Sequence, residues 1–223
     1  MSDAPRGQQL PEAVPLFPLP NVVLFPRAVL PLHIFEERYK QMMADVLRSH
    51  RQIAMALLNP GWEKNYYGRP VVEPVVCVGT ILSHERLVDG RFNLLLQGHT
   101  RARIVREVEG RVYRLANLEA IVETGASEGD LLAARAQLSD MFERESYGQL
   151  PGGGQIRAML RSTIPTAAIA DLLAFNVLSD DQVAVKQALL AEGDVKRRVW
   201  GTVEAVSSLR PTWQNVPRAA DLN

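Results

Sequence analysis

Hydrophobic positions along this 223-residue chain change their spacing near residue 123. Before that point they form short runs and alternations typical of β-strands, and after it they recur at the three- and four-residue steps of amphipathic helices. We therefore predict an α+β fold, in which a curved β-rich lobe over residues 14–123, with one helix, precedes a helical lobe over residues 124–209. Residues 1–13 and 210–223 have no such period, so we expect a flexible N-terminus and a tail that is mobile unless Trp213 docks.

The most apolar segment, FPLPNVVLFPRAVLPLHIFEERY at residues 17–39, contains four prolines. Each proline removes a backbone donor and biases the preceding residue towards extended geometry, so only short strands are expected here. We predict strands at Asn21–Phe25 and Arg27–Leu30, joined by a bend in a closed or strongly curved sheet. From Glu36 the period becomes helical and predicts an amphipathic helix that ends near Ser49.

The rest of the β lobe is predicted from runs of β-forming residues that are separated by turn residues. A strand at Gln52–Leu58 is followed by a polar loop rich in aromatic residues, Asn59–Arg69. Asp89-Gly90 and Gly110 suit tight turns, so the later runs indicate a meander. These runs are Val75–His84, Arg91–Gln97, Arg101–Val108 and Tyr113–Val122.

Helix-capping signals in the sequence predict where helices of the second lobe begin. Ser127 and Asp130 have the spacing of a capping box and predict a helix that runs to about Ser146. The glycine-rich stretch at residues 148–155 follows as a flexible joint. Further helices are predicted at Ile156–Thr163, from Pro165 through Leu178, at Val183–Ala191 after a second capping box (Ser179 and Gln182), and after Asp194 as far as Val206.

Composition and charge exclude several classes of partner. The 25 basic residues balance 25 acidic ones, so no global field favours nucleic acid or an anionic membrane, and neither is expected as a partner. Cys77 is the only cysteine and lies in the apolar run VVCVG, which predicts a buried thiol and no intrachain disulfide. No signal peptide and no run of roughly 18 to 20 apolar residues is evident, so we expect a cytoplasmic protein.

Motifs that carry catalysis or cofactor binding are missing from the sequence. No lysine follows a glycine as a phosphate-binding loop requires, and no serine lies in a GxSxG elbow. His84-Glu85 begins like a helical zinc motif, but position 88 is valine and the context is a strand. We therefore expect no catalytic, cofactor-binding or metal-binding residues. The arginines at 101, 103 and 106 are interpreted as a solvated strand edge, with binding of an anionic partner as the alternative.

Several segments together carry a family resemblance. The proline-rich opening from Pro15 to Tyr39, VGTI at 78–81, DGRFNLLLQGHTRARI at 89–104, VYRLANLEAI at 112–121 and DQVAVKQALLAEGDVKRRV at 181–199 resemble the Lon N-terminal domain, or LON substrate-binding domain, family. The resemblance covers roughly residues 14–207. It implies a pseudo-barrel followed by a helical lobe.

In Lon proteases this domain precedes an ATPase module and a serine-lysine peptidase module and contributes to the recognition of protein substrates. Motifs of neither module occur in this sequence, so it resembles the stand-alone bacterial members of the family. The resemblance supplies no catalytic residues. A peptidase or ATPase label would, on this interpretation, be inherited from full-length Lon.

Two small groups of residues are candidates for contact with a partner protein. Glu36, Glu37 and Arg38 match the strand-to-helix junction of the family, although they could instead be helix-start charges with local partners. The loop residues Trp62, Tyr66 and Tyr67 are candidates because aromatic side chains are enriched at interfaces.

The function expected is a non-catalytic module that binds an unfolded or extended polypeptide through an apolar groove and a free sheet edge. The alternative is an adaptor or regulator that docks one specific folded partner, such as a protease, through the helical lobe. A small-molecule-binding domain or a hydrolase would need an enclosed pocket with converging polar groups. The sequence leaves the oligomeric state open.

Overall fold

A computed structural model describes residues 10–66, 68–144, 147, 150 and 152–209. Within these ranges the chain forms six strands and six helices. The strands are β1 (Val14–Leu19), β2 (Val29–Ile34), β3 (Gln52–Leu57), β4 (Val75–Arg86), β5 (Phe92–Val108) and β6 (Arg114–Ala120). The helices are α1 (Glu37–Val46), α2 (Glu128–Glu143), α3 (Gly153–Leu160), α4 (Thr166–Asn176), α5 (Val183–Ala191) and α6 (Val195–Ser207).

The six strands form one curved sheet in the order β2-β5-β4-β3-β1-β6. Because β6 also pairs with β5, five of these strands close into a ring, and β2 extends the sheet beyond β5. The β1–β3 pair is parallel, and the other pairs are antiparallel. This arrangement confirms the predicted α+β fold with an N-terminal pseudo-barrel and a C-terminal helical lobe.

Strand β5 is curved, and it pairs with two different strands along one edge. Its first half pairs with β2 and its second half with β6, and its register shifts between Ile104 and Arg106. The predicted strands Arg91–Gln97 and Arg101–Val108 are therefore one strand. Gly98 lies between them without ending the strand, because its missing side chain lets the carbonyl of Phe25 approach closely.

The prediction of strands in the proline-rich segment was wrong in position. No strand forms at Asn21–Phe25, although Val23, Leu24 and Phe25 are buried, so their apolar pattern reflects core packing of a loop. Residues 26 and 27 form a turn, and the second strand begins two residues later than predicted, at Val29. The first strand is instead Val14–Leu19, which tolerates two prolines.

Pro18 fits into β1 because its nitrogen faces no pairing strand. Leu58 N–H donates to the carbonyl of Leu19 at 2.9 Å, so Leu19 faces β3 and its neighbour Pro18 faces the other edge. At that edge β6 pairs only with Val14–Leu16. The missing N–H of proline therefore costs no ladder hydrogen bond at this position.

Two hydrophobic clusters divide the core. The smaller cluster is built from valines, alanines and a leucine on one face of the closed sheet, including Ala54 and Ala56 of β3. The other face of β3, with Ile53 and Met55, belongs to a large cluster that continues through α1 into the helical lobe. Both faces of β3 are therefore covered.

The helical lobe begins as the capping signals predicted. Ser127 and Asp130 form a reciprocal capping box, Ser179 and Gln182 form a second, and Asp194 accepts a hydrogen bond from the N–H of Arg197. Helix α2 ends at 143 rather than near 146. The predicted joint at 148–155 is partly helical, because α3 starts at residue 153, while residues 148, 149 and 151 lie outside the described ones.

A network of four charges joins the two lobes, and three of its side chains are buried while that of Glu123 is 40% exposed. Arg101 on β5 and Arg198 on α6 share the carboxylate of Glu123 at 2.8 and 3.0 Å, and both also contact Asp171 on α4. The interpretation of Arg101 as part of a solvated edge was therefore wrong, because the helical lobe covers this part of β5. Arg103, two residues on, is exposed.

The described ranges contain no helix that is both long and apolar enough to cross a bilayer. All six strands end by residue 120, and the helical lobe starts at 128. The exact division at residue 123 stays a prediction. Residues 1–9 of the predicted flexible N-terminus and the whole predicted tail, 210–223, lie outside the described residues.

Candidate functional site

A groove lies between the end of β1 and the end of β2. In the described part of the chain, residues 17–19 of β1 pair with β3 alone, and β2 pairs with β5 alone. Residues 17–20 and 32–36 line the two sides of a groove with a volume of about 430 Å³. Tyr39, Trp62 and Tyr66 complete its lining, and we call it the edge groove.

The backbone geometry of β2 determines which main-chain donors and acceptors its unpaired edge presents. Gly98 N–H donates to the carbonyl of Ala28, and pairing groups alternate along an antiparallel ladder, so Val29, Pro31 and His33 direct their main-chain groups away from β5. Pro31 has no N–H. The edge therefore offers two donors, at residues 29 and 33, and three carbonyl acceptors, which suits a short added strand.

Four of the six predicted partner-binding residues come together at one end of the edge groove. Tyr66 O–H donates to Glu36, and the Arg38 side chain donates to the same carboxylate at 3.0 Å. The Arg38 guanidinium also lies 4.7 Å from the ring centre of Tyr39 and 5.2 Å from that of Tyr66. Trp62 packs edge-on against Tyr66 with ring centres 5.4 Å apart. The aromatic loop is thus tied to the start of α1.

These contacts perturb the two tyrosines. Burial raises the pKa of Tyr39 to about 12. The hydrogen bond to Glu36 raises the pKa of Tyr66, and the adjacent Arg38 opposes that shift. Both phenols keep their protons at neutral pH, so the Tyr66 hydroxyl remains a donor to Glu36. Glu36 and Arg38 pair with each other at 3.0 Å, so their charges are balanced locally.

The other two predicted residues do not join this cluster. Glu37 points away from the edge groove, with 90% of its side chain exposed, and pairs with Lys40 at 3.2 Å. Tyr67 lies outside the described residues. A role for any of the six residues in contact with a partner stays a prediction.

Sequence reasoning missed the apolar part of the groove. Phe17 packs against Tyr39 with ring centres 4.6 Å apart, and Phe35 is 62% exposed at the groove. Leu32 lines the same wall. The available signal was the apolar, proline-interrupted stretch itself, because prolines confine strands to sheet edges.

A second groove adjoins the first at the junction of the two lobes. It has a volume of about 410 Å³ and lies between residues 57–60, residues 73–75 and one face of α5. Pro20 and Trp62 line both grooves. We call the second one the lobe groove.

Other potentially reactive side chains are buried or hydrogen-bonded within the fold. Burial raises the pKa of the Cys77 thiol to about 12, which makes it a poor nucleophile. His33 contacts Asn93, and His99 contacts Thr100. Among the described residues, no group of three histidine, cysteine or acidic side chains is arranged to hold a metal ion.

Comparison with protein-family models gives a match to the substrate-binding domain of ATP-dependent protease La (LON) over residues 13–207. The chain belongs to the LON substrate-binding domain family. This finding confirms the resemblance carried by the proline-rich opening and the later segments.

Curated relatives and solved structures agree with the family. The Lon protease of Desulfosudis oleivorans is 26% identical over 86% of this chain, and that of Paraburkholderia phytofirmans is 29% identical over 88%. The chain spans only 23% and 24% of these relatives. The N-terminal domain of Mycobacterium avium complex Lon protease has a TM-score of 0.68, with 17% identity over 89% of this chain and 100% of that one. A Lon N-terminal domain protein from Xanthomonas campestris has a TM-score of 0.63, with 23% identity over 86% of this chain and 97% of that one.

Proposed function

We propose that this LON domain is a non-catalytic module that binds extended or partly unfolded polypeptide in the edge groove. The observation that carries the proposal is an apolar groove between two strand edges that have no partner in the described part of the chain. A client segment would pair its backbone with Val29 and His33 of β2 and place alternate side chains against the aromatic wall.

Main-chain pairing makes such a site tolerant of sequence, because every residue except proline offers the same N–H and carbonyl groups. Selection then comes from the apolar lining. Burial of one leucine or phenylalanine side chain contributes at most about 1.5–3 kcal/mol, so a short client would bind weakly and exchange readily. This suits recognition of many protein substrates, with any energy input coming from a partner ATPase.

Phe35 provides a direct test, because it is exposed at the groove and can be replaced without opening the core. Leu132 on α2 is the matched control, since it is 63% exposed against 62% for Phe35 and does not line the groove. We expect Phe35→Ala to weaken binding of a fluorescein-labelled unstructured peptide with leucine and phenylalanine residues by about 5- to 30-fold. Leu132→Ala should leave the affinity unchanged.

Fluorescence anisotropy with denatured and native forms of one client protein separates this proposal from an adaptor for one folded partner. The proposal expects binding of several denatured proteins and little binding of their native forms. Equal affinity of the wild-type and Phe35→Ala proteins for the peptide would contradict the assignment of the groove. Turnover of ATP or casein by the pure chain would contradict its non-catalytic character.

A further inference from the structure

The lobe groove is apolar and open, and it carries an acidic group that has no cationic partner among the described residues. Its lining is mostly proline, leucine, valine and alanine, and the described part of the chain contributes no lysine or arginine to it. Glu73 lines the groove half-buried, yet its carboxylate makes no ion pair or side-chain hydrogen bond within the described ranges. A carboxylate beside an apolar wall attracts a cation more strongly than one in open water.

The second polar side chain of the groove is also an acceptor. Gln187 on α5 is largely buried and donates its Nε2–H to the carbonyl of Val75 at 2.9 Å. This bond uses one of the two Nε2 hydrogens, and Oε1 makes no hydrogen bond within the described ranges. Trp62 Nε1–H is the remaining polar group among the lining side chains. The groove therefore favours a ligand with an apolar body and a positively charged donor.

The two grooves are neighbours, because Trp62 and Pro20 line both. This proximity allows one polypeptide to contact both grooves if it passes Pro20. If one chain occupies both, the second contact becomes intramolecular and adds affinity without a new partner. Trp62 would then contact the client on either side of the junction.

We propose that the lobe groove binds the same polypeptide as the edge groove, at a segment where an apolar side chain adjoins a lysine or arginine, and that Glu73 receives this cation. The inference rests on the proposed function, because it requires a polypeptide in the edge groove. It adds a substrate preference: apolar segments with a nearby basic residue are favoured over equally apolar neutral ones.

The test uses two series of fluorescein-labelled unstructured peptides. Each peptide has a phenylalanine anchor, and a Leu-Lys pair follows or precedes it at a spacing of about three to eight residues, which spans roughly 10–28 Å. The second series has Leu-Gln in place of Leu-Lys. Affinities are measured by anisotropy with the full chain and with Glu73→Gln. Glu63→Gln is the matched control, because Glu63 is an exposed acid on the Trp62 loop that does not line the groove.

For the wild-type protein, the best-spaced lysine peptide should bind about 3- to 10-fold more tightly than its glutamine counterpart. This ratio should fall to about one in Glu73→Gln and persist in Glu63→Gln. It should also shrink at about 0.5 M NaCl, because salt screens the exposed part of the interaction. Glu73→Lys should reverse the preference towards a Leu-Glu peptide.

Each other outcome overturns the inference in a distinguishable way. If glutamine peptides bind through Phe35 but lysine gives no advantage at any spacing, only the lobe-groove inference fails. If Glu73→Gln still binds lysine peptides more tightly than glutamine peptides, an acidic residue other than Glu73 binds the cation. If Glu73→Gln changes the oligomeric state but not the peptide ratio, a second copy of the chain occupies the groove. If no peptide binds, the proposed function fails as well.

Discussion

Replacement of Asp171 by asparagine should destabilise the fold more than most single substitutions. The side chains of Arg101 and Arg198 are only 2% and 1% exposed, and Asp171 and Glu123 are the two acids that balance them. Asp171→Asn removes one of two counter-charges and leaves two buried cations with a single carboxylate.

Removal of one partner from a buried ion pair costs about 3–5 kcal/mol, because it leaves a buried charge without compensation. A domain of this size loses about 2–4 °C of melting temperature per kcal/mol, so the melting temperature should fall by about 6–20 °C. Asparagine still offers a carbonyl oxygen to the arginines, which favours the lower end of both ranges.

Urea denaturation followed by far-UV circular dichroism measures this loss. The control is Glu143→Gln, which removes a 2.6 Å ion pair with Arg161 whose two side chains are 48% and 71% exposed. Exposed pairs of this kind contribute about 0–1 kcal/mol. A loss below about 1 kcal/mol for Asp171→Asn, or one equal to the control, would refute the reasoning that the four-charge network holds the lobes together.

Three smaller effects can be checked by thermal melting. Ser127→Ala breaks the capping box with Asp130 at the start of α2 and should cost about 0.5–2 kcal/mol, and an unchanged melting temperature would contradict the cap's importance. Burial lowers the pKa of His50, so the unfolded chain takes up the proton more readily and stability should fall as the pH drops below about 6.5. His50→Asn keeps a side chain that can accept the hydrogen bond from Gln52 N–H, and it should reduce this loss of stability at low pH. An unchanged pH dependence would show that His50 does not cause it. Gly98→Ala places a Cβ against the carbonyl of Phe25 and should destabilise the barrel by about 1–3 kcal/mol. An unchanged melting temperature would show that β5 can shift to accommodate the methyl group.

Local signals in the sequence predicted the helices well. Helix α1 and the capped starts of α2 and α6 depend on the period of apolar residues and on side chains within one turn, and both are visible in a short window. The strands of the proline-rich segment were placed wrongly because apolar residues fill a core equally well from a loop. Val23 and Phe25 are buried without any ladder.

Contacts between distant elements were beyond sequence reasoning. The alternation of side chains along β5 predicts which face of the sheet Arg101 lies on, but it does not predict the helix that covers that face. Its partner Asp171 lies 70 residues away in the sequence. At the site, the junction at Glu36 and the loop at Tyr66 were proposed separately. Their hydrogen bond, across 30 residues, makes them one feature. The groove itself arises from unpaired edges, which no single segment encodes.

The central claim is that a client polypeptide adds a strand to the free edge of β2. Hydrogen exchange measured by NMR at the amides of Val29 and His33 tests it most directly, because both direct their N–H groups away from β5. A saturating unstructured apolar peptide should slow exchange at these two amides, with little change at the turn around Gly90. Tight binding of the peptide with unchanged exchange at Val29 and His33 would contradict the account.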